Sequence, residues 1–232
     1  MDKVYIVLPA LNEVSSIKKV IEEVHSTLAP NTKFGWKIVV ADSGSTDGTV
    51  ELCIREGVEV IPGPKGKGNN IKNCFNVIRE RNDAAWVVML DSDHTYPAEY
   101  INPMLTILQS NSYDIIVGKR DTIQKNAMSK SHRFGNTILT LLANTLYPDT
   151  YTPDLCTGMW AFNKKALNSI VITAPRFQLE ANLFCECSRL KLRLGYVPIY
   201  YRARGGSTPH LKMKDGLQIG WWVVKERIKR WK

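Results

Sequence analysis

Five short apolar runs, residues 4–9, 37–42, 58–62, 86–91 and 114–118, are rich in Val and Ile, and nearly all end in a polar or turn residue. Runs of this length and content read as buried strands. Between the first two lie Val14, Ile17, Ile21, Val24 and Leu28, spaced by three and four as on one face of an amphipathic helix. Strands alternating with helices predict an α/β fold with a mostly parallel central sheet flanked by helices, whose ligands gather beyond the carboxyl ends of the strands. The polar residues at those ends are Asn12-Glu13, Asp42 to Asp47 and Asp91 to Thr95.

A chain of 232 residues with 44% hydrophobic side chains buries enough surface to fold as one domain without a metal staple or a disulfide framework. The five cysteines, Cys53, Cys74, Cys156, Cys185 and Cys187, have neither CxxC nor zinc-ligand spacing, which fits free thiols in a reducing, cytoplasmic compartment. The first apolar run is broken at Asn12-Glu13, too early for a secretory signal, and the most lipid-like stretch, 136–147, is too short to span a bilayer. Residues 119–132 hold four Lys and Arg with no apolar period and predict a mobile loop of the kind that closes over a site.

The net charge of +9 is not evenly spread. Residues 186–232 carry 12 Lys and Arg against three acidic residues, while the rest of the chain balances at 19 against 19. Such a basic segment is an electrostatic footprint for phosphate on a membrane, a nucleic acid or a substrate, or else a solvated face. The final element, 215–232, opens with an N-cap candidate at Asp215. It carries one apolar stripe, Leu217, Trp221, Val224, Ile228 and Trp231, beside Lys225, Arg227, Lys229 and Arg230. Two arrangements suit this helix: lying in a lipid interface, or packing its stripe on the domain core.

Asp91-Ser92-Asp93 places two carboxylates at i and i+2, on one side of an extended chain, where a buried strand emerges. The pair suits a hard divalent cation; Mg²⁺ in particular prefers one or two carboxylates plus substrate phosphates to a full protein cage.

These residues, read with Val7-Leu8-Pro9-Ala10-Leu11-Asn12-Glu13, Ala41-Asp42-Ser43-Gly44-Ser45-Thr46-Asp47-Gly48-Thr49, Lys65-Gly66-Lys67-Gly68-Asn69, the DSDHTYP segment and Gly158 to Phe162 after Asp154, resemble the family 2 glycosyltransferases. The resemblance implies a GT-A, Rossmann-like single domain over 1–232, with a nucleotide-binding half at 1–93, an acceptor half at 94–214 and the basic helix at 215–232. Looser segments, Val117 to Arg120, Arg133 to Asn136, Phe177 to Glu180 and Tyr201 to Ser207, resemble polyprenyl-phosphate sugar synthases such as dolichyl-phosphate mannose or glucose synthases. That likeness implies inverting transfer of one sugar from GDP-mannose or a UDP-sugar to a polyprenyl (dolichyl) phosphate. The enzyme would work peripherally at the cytoplasmic face of a membrane, with Mg²⁺ or Mn²⁺ as cofactor and a membrane-anchoring subunit as a possible partner.

By the same resemblance Pro9, Leu11, Asn12, Glu13, Asp42, Ser43, Lys67, Gly68, Asp91, Ser92, Asp93 and Arg202 face the donor, and Asp91, Asp93 and His210 face the metal. Asp154, Asp93, Arg120, Arg133 and Glu180 serve the transfer itself. Lys67-Gly68 would let backbone approach the nucleotide, with a plain surface turn as the alternative. Asp42 would accept hydrogen bonds from base or ribose, or cap its own turn. Asp154 is a base or a positioning residue, since a phosphate acceptor is largely ionised at neutral pH. Arg120, Arg133 and Arg202 suit phosphate through the guanidinium fork. The chain departs from the family at Asp42-Ser43, Thr95 and Ser207 to Leu211, so the donor sugar does not carry over. A soluble sugar or glycan acceptor and a non-catalytic nucleotide-sugar-binding module are the competing functions. A nucleic-acid partner is disfavoured by the lack of an aromatic-rich RNA-binding motif.

Overall fold

The apolar runs form the middle of a seven-stranded sheet in which every strand but one runs the same way. In this computed structural model, which describes residues 3–30, 34–205 and 213–230, the strands are β1 (Lys3–Ala10), β2 (Gly35–Asp42), β3 (Glu59–Pro62), β4 (Ala84–Met89), β5 (Ile115–Ile123), β6 (Trp160–Asn163) and β7 (Leu194–Tyr201). Their order is β3-β2-β1-β4-β6-β5-β7, with β6 antiparallel to both neighbours. The helices are α1 (Ile17–Leu28), α2 (Thr49–Arg55), α3 (Lys67–Arg81), α4 (Ile101–Gln109), α5 (Lys130–Leu146), α6 (Lys164–Ser169), α7 (Leu179–Arg189) and α8 (Met213–Arg230).

Alternation along β1 shows why the central strands read as continuous apolar runs. Val4, Ile6 and Leu8 join the core formed with α1 and α4, whereas Tyr5 and Val7 join the opposite core with α3, α7 and α8. Both faces of the sheet are thus covered, as parallel sheets require. Strand β6, three of whose four residues are buried, and the half-exposed β7 escape the sequence reading for different reasons. β6 is only four residues long, and β7 is an edge strand that alternates buried and exposed residues and tolerates Pro198.

Three expectations change, and one open alternative is decided. Val14 is 39% exposed and precedes α1, which starts at Ile17. The basic stretch 119–132 is not one loop. β5 continues to Ile123 because β7 supplies a partner as far as Tyr201, and α5 begins at Lys130, so only 124–129 connect them. Asp215 is buried inside the first turn of α8 instead of capping it. Of the two arrangements open to the apolar stripe of α8, the outward one is found: Leu217, Trp221 and Ile228 are exposed, Val224 is half-buried, and Ile219, Val223 and Trp222 pack on the core. Trp231 lies outside the described residues. The five cysteines are free thiols, and among the described residues no helix is long and apolar enough to cross a membrane.

Asp114 fastens the distal half of the sheet. Its buried carboxylate accepts from Arg193 N–H at 2.9 Å and Nε at 3.1 Å, and from Asn163 Nδ2 at 3.1 Å, joining the starts of β5 and β7 to the end of β6. Burial raises its pKa, but the Arg193 and Asn163 hydrogen bonds outweigh that and hold it far below the usual carboxylate range. A depressed folded-state pKa contributes stability above the unfolded value and loses it as pH falls towards the folded one. Asp114→Asn should therefore cost about 2 kcal/mol of unfolding free energy at neutral pH. In urea titrations that deficit should shrink as pH drops below ~3.9. A deficit that stays constant down to pH 3 contradicts the assignment.

Candidate active site

The carboxyl ends of β1, β2 and β4 open on one side of the sheet, and the polar residues after them are tied together before any ligand arrives. Ser92 Oγ donates to Pro9 O at 2.6 Å, pinning the loop after β4 to the end of β1. Asn12 adopts a left-handed φ of 56°, its N–H donates to Ser45 Oγ, and its side-chain oxygen accepts from Thr46 N–H. Leu11 beside it is half-buried. Asp42 accepts from the N–H groups of Gly44 and Ser45 at 2.8 and 3.0 Å and from Ser45 Oγ. It therefore holds its own Asx-type turn. Buried Ser43 accepts from Asn70 Nδ2.

Lys67 is the first residue of α3 and reaches back under the site. Its Nζ lies 2.6 Å from Asp91 Oδ1 and 2.7 Å from Glu180 Oε1, at the start of α7. Burial disfavours its charge, but these two carboxylates more than offset the loss and hold it protonated. Glu180 is pushed up by burial, with Asp91 adding to the effect against Lys67. The glycines around Lys67 are required by packing. A Cβ at Gly68 would fall 1.9 Å from Ala174 O, and one at Gly66 2.4 Å from Pro175 O, so only glycine lets α3 start against that segment. Gly158 plays the same part for Asp91: a Cβ there would sit 2.2 Å from Asp91 Oδ2.

Asp93 is 3% exposed. One oxygen accepts from Thr95 N–H and Oγ1, and the other meets Arg204 Nη2 at 2.6 Å. Burial, then the neighbouring Asp91, raise its pKa. Arg204 also reaches Glu13 Oε1 at 3.2 Å, so it spans the loops after β1 and β4. Arg202 is elsewhere, paired with Glu23 of α1 at 2.6 Å and touching His94, whose own φ is 66°. Arg204, two residues on, is the arginine of this segment whose side chain meets Asp93 and Glu13.

On the far side Arg120, in β5, forms a bidentate pair with Asp154, Nε to Oδ2 and Nη2 to Oδ1, each at 2.7 Å. Asn136 Nδ2 donates to the same carboxylate at 2.9 Å. Burial raises the Asp154 pKa, but Arg120 and Asn136 pull it below the ordinary value. Arg133 lies one turn before Asn136 on α5 and is exposed, so it stands at the rim. The buried Tyr96 hydroxyl, which accepts from Gly158 N–H at 2.6 Å, feels the charges of Asp91, Asp154 and Arg120 together. His210 lies outside the described residues.

Among the described residues five carboxylates (Glu13, Asp91, Asp93, Asp154, Glu180) thus face three cations (Lys67, Arg120, Arg204), a formal excess of two negative charges. Among the described residues no three His, Cys, Asp or Glu side chains converge to hold a metal by themselves. Two hard oxygen donors at a strand end, short of two charges, fit a cation that completes its shell with phosphate and water.

Comparison with known proteins agrees with this arrangement. The family model described as glycosyl transferase family 2 matches residues 5–171. The chain is 30% identical over 219 residues to glycosyltransferase AglJ of Haloferax volcanii, covering 93% of this chain and 69% of AglJ. It is also 30% identical to the dolichyl-phosphate hexose transferase of the same organism, over 97% of this chain and 93% of that protein. Among solved structures, glucosyl-3-phosphoglycerate synthase from Mycobacterium tuberculosis with phosphoglyceric acid superposes with a TM-score of 0.75 at 20% identity, over 97% of this chain and 80% of that one. A complex of the same synthase with Mn²⁺, UDP and glucosyl-3-phosphoglycerate gives 0.73 at 20% identity, over 99% and 80%. The solved structures share the α/β fold described above, and the chain belongs to glycosyl transferase family 2.

Proposed function

We propose that this glycosyltransferase moves one hexose from a nucleotide sugar to the phosphate of a polyprenyl (dolichyl) phosphate. It would act peripherally at the cytoplasmic face of a membrane, with inversion at the anomeric carbon and with Mg²⁺ or Mn²⁺ as cofactor. The observation that carries the reading is the pair Asp91 and Asp93 at the end of β4, in a site short of two positive charges. Asp91 and Asp93 would hold a divalent cation, which when bound would supply charge stabilisation to the departing nucleoside diphosphate. The Mn²⁺ and UDP named in the solved complex of the mycobacterial synthase support that choice.

In the transfer, an acceptor phosphate oxygen bonds to the anomeric carbon while the bond from that carbon to the donor diphosphate breaks, and the electron pair leaves with the diphosphate. A phosphate monoester is already ionised at neutral pH, so no base is required. Asp154 fits this, because both its oxygens are engaged and its proton affinity is lowered. Its role is to hold Arg120, whose guanidinium also lies over the Tyr201 ring at 5.4 Å. Arg133, exposed at the same rim, presents its fork to the acceptor phosphate. Lys67, kept charged by Asp91 and Glu180, places a fixed cation beside the metal carboxylates.

A lipid acceptor is supported by α5 and α8. These helices pack together, with Gly220 against Leu139 and Leu142, and each leaves an apolar row outside. On α5 the row is Phe134, Ile138 and Leu141; on α8 it is Leu217, Trp221 and Ile228. Exposed apolar area of this kind, beside basic side chains, suits a bilayer interface or a membrane-anchoring subunit within it. The cations are less free than the sequence implies. Lys225 lies over Trp222, Arg227 over Tyr147 and Lys229 pairs with Glu226, so apolar insertion carries more of the binding than charge. The name of the 30%-identical dolichyl-phosphate hexose transferase points to the same acceptor class.

Two experiments follow. With labelled nucleotide sugars and vesicles containing polyprenyl phosphate, label should pass into the organic-extractable fraction and EDTA should stop it. Label that stays in water supports a soluble acceptor and removes the lipid reading. Replacing Leu217 and Trp221 together by Ser should lower vesicle co-sedimentation by about tenfold or more while leaving the thermal midpoint unchanged, since both side chains are outside the core. Unchanged sedimentation of the folded double variant excludes α8 as the docking face.

A further inference from the structure

Arg204 stands where a cation for Asp93 has to go. Its Nη2 is 2.6 Å from Asp93 Oδ2 and its Nη1 3.2 Å from Glu13 Oε1. The other Asp93 oxygen is already used by Thr95 N–H and Oγ1. The carboxylate face open to an incoming ion is therefore the one that meets Arg204. The segment carrying it is fastened to the same loop, with Arg202 N–H donating to Thr95 O at 2.9 Å and Gly205 N–H to Asp93 O at 3.1 Å. Lys67, which serves Asp91, differs in kind: it is 15% exposed and shared with Glu180, whereas the Arg204 side chain is 28% exposed.

We propose that Arg204 is the resident cation of the ligand-free site, which holds Asp93 and Glu13 in place until a divalent cation arriving with the donor diphosphate takes Asp93 from it. The released guanidinium then pairs with the diphosphate. This rests on the reading of Asp93 as a metal ligand. Two adjacent, nearly buried carboxylates repel each other unless a positive charge lies between them and the rest of the site. A guanidinium meets that need but carries one charge, so a divalent ion in the same place wins on Coulomb energy. The same fork that spans two carboxylates also matches phosphate oxygens, so the side chain can trade its Asp93 contact for diphosphate. Metal alone must break the Asp93 contact without that return, whereas metal plus diphosphate supplies it. The two ligands are therefore coupled, and the coupling is reciprocal.

The test is Mn²⁺ binding, read from the loss of the free-ion paramagnetic resonance signal, on the full chain and on Arg204→Gln, each with and without UDP or GDP. The variant should bind Mn²⁺ alone at least about fivefold tighter than the parent, and the gain in Mn²⁺ affinity produced by diphosphate should fall by a similar factor. Equal or weaker Mn²⁺ binding by the folded variant overturns the proposal. Should the glutamine variant fail to fold, Arg204→Lys keeps a single ion pair without the two-point fork. It should bind Mn²⁺ at least about twofold tighter than the parent, and parity overturns the proposal. If the parent takes up no Mn²⁺ with or without diphosphate, the metal assignment of Asp93 itself fails, an outcome distinct from the failure of Arg204 as its occupant.

Discussion

A single buried ammonium organises the catalytic end of the molecule. Lys67 joins Asp91, after β4, to Glu180, at the start of α7, from the first turn of α3, so three elements distant in sequence meet at one nitrogen. Removing one partner of such a pair typically costs about 3–5 kcal/mol, because the remaining charge is stranded away from water. The surrounding glycines follow from this constraint. Gly66 and Gly68 let α3 begin hard against Ala174 and Pro175, and Gly158 leaves room for the Asp91 carboxylate.

From that anchor the electrostatics of the site follow. Asp91 is spoken for by Lys67, Asp154 by Arg120, and Asp93 with Glu13 by Arg204. Each carboxylate has a cationic partner inside the protein, yet by formal charge the five exceed those three cations by two. Preorganised charge of this sort does not have to be assembled at the moment of reaction. On the proposed transfer, which requires no base, Asp154 would act through its bidentate hold on Arg120.

Much of this arrangement is legible in the sequence, and the parts that are not share a cause. Strands β1, β2 and β4 announce themselves because both of their faces are buried, and the aspartates at their ends are marked by where the apolar runs stop. β6 and β7 lack that signature, being respectively four residues long and half-exposed. In α8 the run Trp221-Trp222-Val223-Val224 is apolar on every side, so periodicity alone permits two inward faces. Packing on Tyr147 and α7 selects Ile219, Trp222 and Val223. Arg202 and Arg204 are equal as residue types, and only the backbone pairing of 202–205 with the Asp93 loop decides which meets the carboxylates. Such choices are made by contacts between segments about 100 residues apart, which no local pattern records.

The central claim is that the charge deficit around Asp91 and Asp93 is the seat of one divalent cation bound together with a nucleoside diphosphate. Calorimetric titration of the full chain with UDP and with GDP, in Mn²⁺ and then in EDTA, tests it directly. One nucleotide per chain should bind in Mn²⁺, and the affinity should fall by about tenfold or more both in EDTA and in Asp93→Asn. Nucleotide binding of the same strength in EDTA, or an Asp93→Asn variant that keeps its full Mn²⁺ dependence, contradicts the account.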